Sequence, residues 1–198
     1  MSRERSAEWE PRPAEVGLKD GRVAVLRRAR PEDALAAYAC NRAVVAAGVG
    51  VTRSLKELDK TEERIIEDFR EWTDGVHSGA GGCMLMGWVG DELAGSGVIR
   101  RHQPSRLRHV GHIGLGIHPA YQGLGLGRGV MVGLLDWARR GPARGITRVD
   151  LNVFADNERA IALYASLGFE IEGRRRRAIR YEDGRYADDL TMGLLLEG

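Results

Sequence analysis

The sequence has few cysteines and no long apolar run, and each shortage excludes a class of protein. Two cysteines, Cys40 and Cys83, in 198 residues are too few for a disulfide framework, and no further ligands at metal spacing surround them, so no metal site is expected. No apolar run reaches the roughly 18 residues that cross a bilayer, and the charged start of the chain, Met1–Pro13, has no apolar core typical of a signal peptide. These absences predict a cytoplasmic protein with no membrane partner.

The chain also lacks a strong charge of one sign and is poor in aromatic residues. Its formal net charge is +2 and aromatics make up 6% of it, whereas nucleic-acid binding depends on clustered positive charge and on rings that stack with bases. The run Arg174–Arg177 favours nucleic acid, but four residues on a strand alternate between its two faces. We therefore interpret the run as a solvated strand edge, or as a contact to a phosphate of a small ligand, and expect no nucleic-acid partner.

What is present is typical of one globular domain. The composition is 43% hydrophobic and 29% charged, and 198 residues suffice to bury one core. Residues 1–17 are charged and broken by proline, which predicts a disordered leader, and 18–198 form the expected domain.

Hydrophobic periodicity and the positions of Gly and Pro predict alternating helices and strands. The expected strands are Arg22–Arg27, Met84–Val89, Leu93–Arg100, His109–Ile117, Arg148–Phe154, Ile171–Tyr181 and Tyr186–Leu196, and the expected helices are Ala34–Ala47, Thr61–Trp72, Gly127–Arg140 and Glu158–Leu167. The segment Asp74–Gly82 is expected to be a flexible connection. This order predicts an α/β domain with a mixed sheet of about seven strands flanked by about four helices.

The segment HPAYQGLGLGRG, from His118 to Gly129, places glycines at alternate positions between a predicted strand and a predicted helix. A glycine-rich turn that opens a helix presents free N–H groups and the positive end of the helix dipole to an anion, such as a phosphate. The dinucleotide fingerprint fits poorly, because it belongs in the first βα unit. The P-loop fits poorly as well, because the run has no lysine.

Two segments in the right order carry a family resemblance. Gln122-x-x-Gly125-x-Gly127 resembles the pyrophosphate-binding motif of the GNAT superfamily of N-acetyltransferases. Farther along, Asn157-x-x-Ala160-x-x-Leu163-Tyr164, followed by Gly168-Phe169, is similar to a second segment of that superfamily. The resemblance extends over Arg22–Leu196 and implies the single-domain mixed α/β fold of these enzymes.

The resemblance implies acetyl-CoA as cosubstrate, with no metal. Main-chain N–H groups from Gly123 to Arg128 would hold the pyrophosphate, and the main chain of Leu115–Ile117 would pair with the pantetheine arm as an added strand. The Ile117 N–H would stabilise the oxyanion, and Tyr164 would protonate the departing thiolate. The implied cofactor-binding residues are Leu115, Gly116, Ile117, Gln122, Gly123, Leu124, Gly125, Leu126, Gly127, Arg128, Asn157 and Tyr164. Asn157 also suits the N-cap of the helix that follows it.

The general base is where the sequence departs from parts of the family. Some members carry a glutamate five residues before the asparagine, where this chain has Asn152, and others carry one on the preceding strand, where it has Gly111. His112 is the candidate base, because a histidine titrates near neutral pH. A water chain, or an amine that arrives neutral, is the alternative.

The sequence favours a small amine as the acceptor. The ending Tyr186-Ala-Asp-Asp-Leu-Thr-Met-Gly is similar to bacterial members that act on amino acids or small amines. The expected function is therefore acetyl transfer to a primary amine, with a protein N-terminus or lysine as the alternative acceptor. A non-catalytic acyl-CoA sensor is the alternative of another class, and a homodimer is possible for a member of this family.

Overall fold

The computed structural model describes residues 9–48, 50–77, 81–141 and 145–196. They form one eight-stranded sheet in the order β1-β2-β3-β4-β5-β6-β8-β7. The strands are β1 (Glu15–Gly17), β2 (Val23–Arg28), β3 (Gly82–Val89), β4 (Glu92–Arg101), β5 (Val110–Ile117), β6 (Arg148–Phe154), β7 (Glu170–Arg180) and β8 (Tyr186–Leu195). The helices are α1 (Ala34–Ala46), α2 (Glu62–His77), α3 (Leu126–Arg140) and α4 (Glu158–Ala165).

One pair of neighbouring strands is parallel, and the rest are antiparallel. β5 and β6 run in the same direction because α3 crosses over between them, whereas β3 and β4 form a hairpin at Gly90, whose φ is +58°. The result is the mixed α/β sheet that the sequence predicts, with one strand more than expected.

Helices cover both faces of the sheet. α3 packs on β3, β4 and β5 through an apolar face that includes Val130, Leu134 and Trp137. α1 and α2 cover the opposite face, where Cys40 packs with Met84 and Met86. Both faces of the central strands are therefore buried, as the unbroken apolar run of β3 requires.

The additional strand comes from the segment expected to be a leader. Glu15–Gly17 pairs with Val23–Val25 and forms an edge of the sheet, so the expected leader extends too far; residues 1–8 lie outside the described residues. Val16 packs on the core beside Gly129, where any Cβ would overlap the valine methyl groups. A three-residue strand has too little pattern to be recognised in a charged, proline-broken sequence.

The second helix is longer than expected. Its periodicity continues beyond Trp72 to His77, where the buried Thr73 and Val76 face the core, so the first part of Asp74–Gly82 is helical and not a flexible connection. In the parts of the chain that are described, no helix is long and apolar enough to cross a membrane.

Candidate active site

A wedge-shaped gap opens in the middle of the sheet. The pairing of β5 with β6 ends at Ile113 and Leu151, although both strands continue beyond this point. The His118 N–H donates to Ala94 O on β4, so by strand alternation the main chains of Leu115 and Ile117 face the gap. The gap therefore presents strand-edge hydrogen-bonding groups to any extended chain that enters it.

The glycine turn closes the end of this gap at the start of α3. Gly123 and Gly125 have φ of +78° and +100°, a conformation that L side chains rarely adopt. Within the described ranges, the N–H groups of Gly123, Leu124 and Gly125 donate to no backbone carbonyl. Leu126 and Gly127 begin α3, and the first N–H groups of a helix have no carbonyl partner within it. Five successive N–H groups are thus available to an anion at the positive end of α3.

The gap and the turn form one cleft of about 1020 Å³. Most of the residues that the sequence singles out line it: His112, Leu115, Gly116, Ile117, Gln122, Gly123, Gly125, Gly127, Arg128, Asn157 and Tyr164. Leu124 and Leu126 do not, because Leu126 is fully buried in the core and Leu124 packs against that core. For these two residues, only the main chain is placed to meet an anion.

Cationic side chains surround the glycine turn, and two of them have no signal in the motif. Arg159 donates to Gln122 Oε1 at 3.3 Å, while Gln122 Nε2 donates to Ile117 O at 3.1 Å. The Lys19 N–H donates to Leu124 O at 3.0 Å, and Lys19, like Arg128, lines the cleft. Three positive charges at the mouth of an anion-binding turn suit a ligand with several phosphates.

Tyr164 lies on α4 with its ring against Phe169, the two centroids being 6.0 Å apart. It is 7% exposed and lines the cleft, and in the described structure its hydroxyl makes no hydrogen bond. Burial raises the pKa of Tyr164 to about 12, because the charged phenolate would lose its solvation. At neutral pH the hydroxyl is therefore protonated and able to donate a proton into the cleft.

Asn157 caps α4, as its position in the sequence suggests. Its Oδ1 accepts from the Ala160 N–H at 3.2 Å, which leaves the Nδ2 group for other partners. Nδ2 approaches Gly50, whose φ is +71° and where a Cβ would lie 2.7 Å from this atom. The loop after α1 therefore lies close to the start of α4, and both line the cleft.

His112 has a carboxylate partner that the sequence pattern does not reveal. His112 Nδ1 and Asp150 Oδ1 lie 2.7 Å apart, because the parallel register pairs these two residues across β5 and β6. Burial acts to raise the pKa of Asp150, but the hydrogen bond to His112, with attraction to His102 and Arg148, outweighs it and holds that pKa below its usual value. Asp150 is therefore ionised at neutral pH.

Asn152 lies on the same face of β6 and belongs to a second polar group. Its Nδ2 donates to Asp189 Oδ2 at 2.8 Å, and Arg175 Nε donates to the same oxygen at 2.9 Å. Asp189 is 2% exposed, so this carboxylate on the last hairpin is buried and bonded rather than solvated. Because a carboxylate only accepts, the amide of Asn152 is oriented with its Oδ1 away from Asp189.

The arginine run does not present four free cations. Arg174 Nε donates to Asp188 at 2.6 Å, and Arg175 is bonded to Asp189. Arg177 has a φ of +51° at a bulge in β7, and its guanidinium lies 4.2 Å from the ring centroid of Tyr186. The bulge interrupts the simple alternation expected of a strand, since it inserts residues that have no partner on β8.

Three features together define the class of protein: a mixed sheet whose parallel strand pair splays apart, a glycine turn beside the gap, and a buried tyrosine that lines it. A family model described as the acetyltransferase (GNAT) family matches residues 51–169, which is more than half of the chain. The chain belongs to the GNAT acetyltransferase family. The enzyme class and the cosubstrate expected from the sequence, acetyl-CoA, are thereby confirmed for the family.

Relatives with curated names act on different amines. The chain is 46% identical to the N-alpha-acetyltransferase RimI of Mycobacterium tuberculosis over 78 residues, which are 39% of this chain and 44% of RimI. The chain is 28% identical to the L-amino acid N-acetyltransferase AaaT of Escherichia coli over 126 residues, which are 61% of this chain and 73% of AaaT. The chain thus spans less than half of the RimI protein it matches.

A solved structure supports the fold over nearly the whole chain. The structure of YncA of Salmonella typhimurium, determined with its cofactor acetyl-CoA, has a TM-score of 0.75 and 23% identity to this chain, covering 88% of this chain and 95% of YncA. In the described ranges, no group of three or more His, Cys, Asp or Glu side chains is arranged to hold a metal ion.

Proposed function

We propose that this protein transfers an acetyl group from acetyl-CoA to the primary amine of a small molecule such as an amino acid or a polyamine. The observation that carries the proposal is the gap between β5 and β6, where strand pairing ends at Ile113 beside a turn with five available N–H groups. A pyrophosphate fits the turn, because Gly123 and Gly125 have no Cβ to obstruct it and α3 directs its positive end there.

Residues of the gap take the remaining roles. The Leu115 and Ile117 main chains bind the pantetheine amides as a further strand, and the Ile117 N–H donates to the thioester oxygen as it gains negative charge. Tyr164 donates its proton to the departing sulfur, and His112 accepts the proton of the attacking amine, directly or through one water.

The lining of the cleft suits a short, partly apolar amine. Val44, Ala47 and Val51 line the cleft from α1 and the loop after it, while Asp156 and Glu158 contribute carboxylates that attract a cationic amine. The name of the AaaT relative, an L-amino acid acetyltransferase, supports a free amino acid as the first acceptor to test.

A second candidate is the α-amine at the N-terminus of a protein, which the names of two relatives favour. RimI of M. tuberculosis is an N-alpha-acetyltransferase, and over 80 residues the chain is 40% identical to an E. coli enzyme named for the alanine of ribosomal protein bS18. Some members of the family carry a glutamate where this chain has Asn152, so this chain would need another base for that reaction.

The test is thiol release from acetyl-CoA by the purified protein, measured against amino acids, polyamines and peptides with free or blocked N-termini. Acetylation of free amino acids or polyamines with higher kcat/KM than of any peptide supports the proposal. A preference for peptides with a free N-terminus would select the second candidate. Tight acetyl-CoA binding without turnover on any amine would instead indicate a sensor.

A further inference from the structure

The contact between His112 and Asp150 links the two strands at the inner end of the gap. The imidazole lines the cleft with its side chain 39% exposed, whereas the Asp150 side chain is 21% exposed and does not line the cleft. The carboxylate therefore lies behind the ring, and their 2.7 Å contact uses Nδ1. The other ring nitrogen, Nε2, is left for the cleft.

The chemistry of the two groups decides which nitrogen carries the proton. An ionised carboxylate has no proton to donate, so a hydrogen bond between Asp150 and Nδ1 requires the proton on Nδ1. In the neutral imidazole, Nε2 then carries the lone pair. The lowered pKa of Asp150 supports this assignment, because the carboxylate is ionised at the pH at which the enzyme would work.

Two arginines near the pair have other partners. Arg100 is the register partner of His112 on β4, and its guanidinium lies 5.9 Å from the ring centroid of Trp72. Arg148, two residues before Asp150, donates to Glu172 Oε1 at 2.7 Å. Asp150 is therefore the carboxylate that contacts the ring, and neither arginine replaces the imidazole as its hydrogen-bond partner.

We propose that Asp150 is a positioning residue that holds His112 in the Nδ1–H tautomer, so that Nε2 accepts the proton of the acceptor amine. This inference rests on the proposed function. The step is balanced: the amine nitrogen bonds to the acetyl carbon, the carbon–sulfur bond breaks, and Nε2 takes the proton that the nitrogen loses. Tyr164 supplies the proton that the sulfur gains, and it recovers one from His112 through solvent.

The kinetic experiment compares Asp150→Asn with Glu172→Gln, using the best amine found in the screen. The asparagine keeps the shape of the side chain but can donate to Nδ1, which places the proton on Nε2 and removes the acceptor. We expect kcat/KM to fall at least about 100-fold, because loss of a positioned base costs about that much or more. We expect the Kd for acetyl-CoA to change less than two-fold.

Glu172→Gln is the matched control, because it removes a carboxylate from the same face of the sheet without touching His112. We expect it to keep kcat within a few-fold of the wild type, and Asp150→Glu, which retains the carboxylate, to recover part of the lost activity. The double variant His112→Gln/Asp150→Asn should be no slower than His112→Gln alone, since Asp150 acts through the ring.

A second readout does not depend on activity. Nitrogen-15 NMR of the histidine rings in the free protein reports which nitrogen of His112 carries the proton. We expect Nδ1 in the wild type and a shift of the proton toward Nε2 in Asp150→Asn. A proton on Nε2 in the wild type, or wild-type kcat in Asp150→Asn, would overturn the inference and leave the proposed function intact. Absence of turnover on every amine would instead overturn the proposed function.

Discussion

The substitution Tyr164→Phe isolates the one atom to which we assign proton donation. Burial raises the pKa of Tyr164 from 10.0 to about 12, so the phenol keeps its proton at pH 7. The hydroxyl is therefore present as an acid throughout the range in which an enzyme of this kind would be assayed.

The structure predicts that the substitution leaves the fold intact. Phenylalanine keeps the ring that packs on Phe169, and the lost hydroxyl breaks no hydrogen bond to any described residue. We expect the free energy of unfolding to change by less than about 1 kcal/mol. The Kd for acetyl-CoA should also change little, because the hydroxyl matters chiefly once negative charge develops on sulfur.

The turnover rate should respond very differently. Loss of a positioned acid lowers kcat by roughly 10²–10⁴, which corresponds to about 2.7–5.4 kcal/mol in the activation barrier. The assay is thiol release at saturating acetyl-CoA, alongside calorimetry of binding. Tyr38→Phe is the control, because it removes a hydroxyl that donates to Leu58 O at 2.6 Å outside the cleft. Equal kcat for Tyr164→Phe and the wild type, with chemistry rate-limiting, would refute the assignment.

Three further predictions concern the glycines and the acidic side of the site. Gly125→Val and Gly184→Val force valine to φ of +100° and +87°, and each should cost about 1–3 kcal/mol of stability. At 100 times its Kd, acetyl-CoA should stabilise the wild type by about 2.7 kcal/mol in thermal unfolding. Gly184→Val should keep this stabilisation, and Gly125→Val should lose it. Gly129→Ala should destabilise by about 1–3 kcal/mol, and a cycle with Val16→Ala should show favourable coupling if the overlap is the cause. Asp150→Asn should lower the free energy of unfolding at neutral pH, and the difference from the wild type should shrink as the pH falls below about 4. The reason is that a carboxylate whose pKa is lowered by folding stabilises the fold only while it is ionised. An unchanged difference in acid would contradict this.

The local conformation of the glycine turn could be predicted from the sequence alone. Alternating glycines between a strand and a helix predict available N–H groups there, and Gly123 and Gly125 do adopt positive φ. The order of helices and strands followed from periodicity, because apolar residues that face a core repeat at the period of their own element. Asn157 as a helix N-cap was also predictable, since the cap is made within four residues.

The meaning of the fourth glycine required the tertiary structure. Gly129 belongs to the same run as the turn glycines, yet it is small because Val16 of β1 packs on it. The sequence gives no sign of this contact, because the two residues are far apart in the chain and β1 has too few residues to show a pattern. Glycine by itself indicates only that a Cβ is absent, and the neighbours decide why.

The pairing of His112 with Asp150 was likewise decided by the fold. Each residue lies on a strand recognisable from its sequence, but the register between two parallel strands joined through α3 is set by how that helix packs on the sheet. A shift of one residue would turn Asp150 to the other face and leave the imidazole without a carboxylate. The sequence determined the turn and the order of the elements after β1, because these depend on neighbours in the chain, and the family resemblance supplied the candidate acid. Tertiary packing decided the gap, the partner of the base and the burial of Asp189, because these depend on contacts between segments distant in sequence.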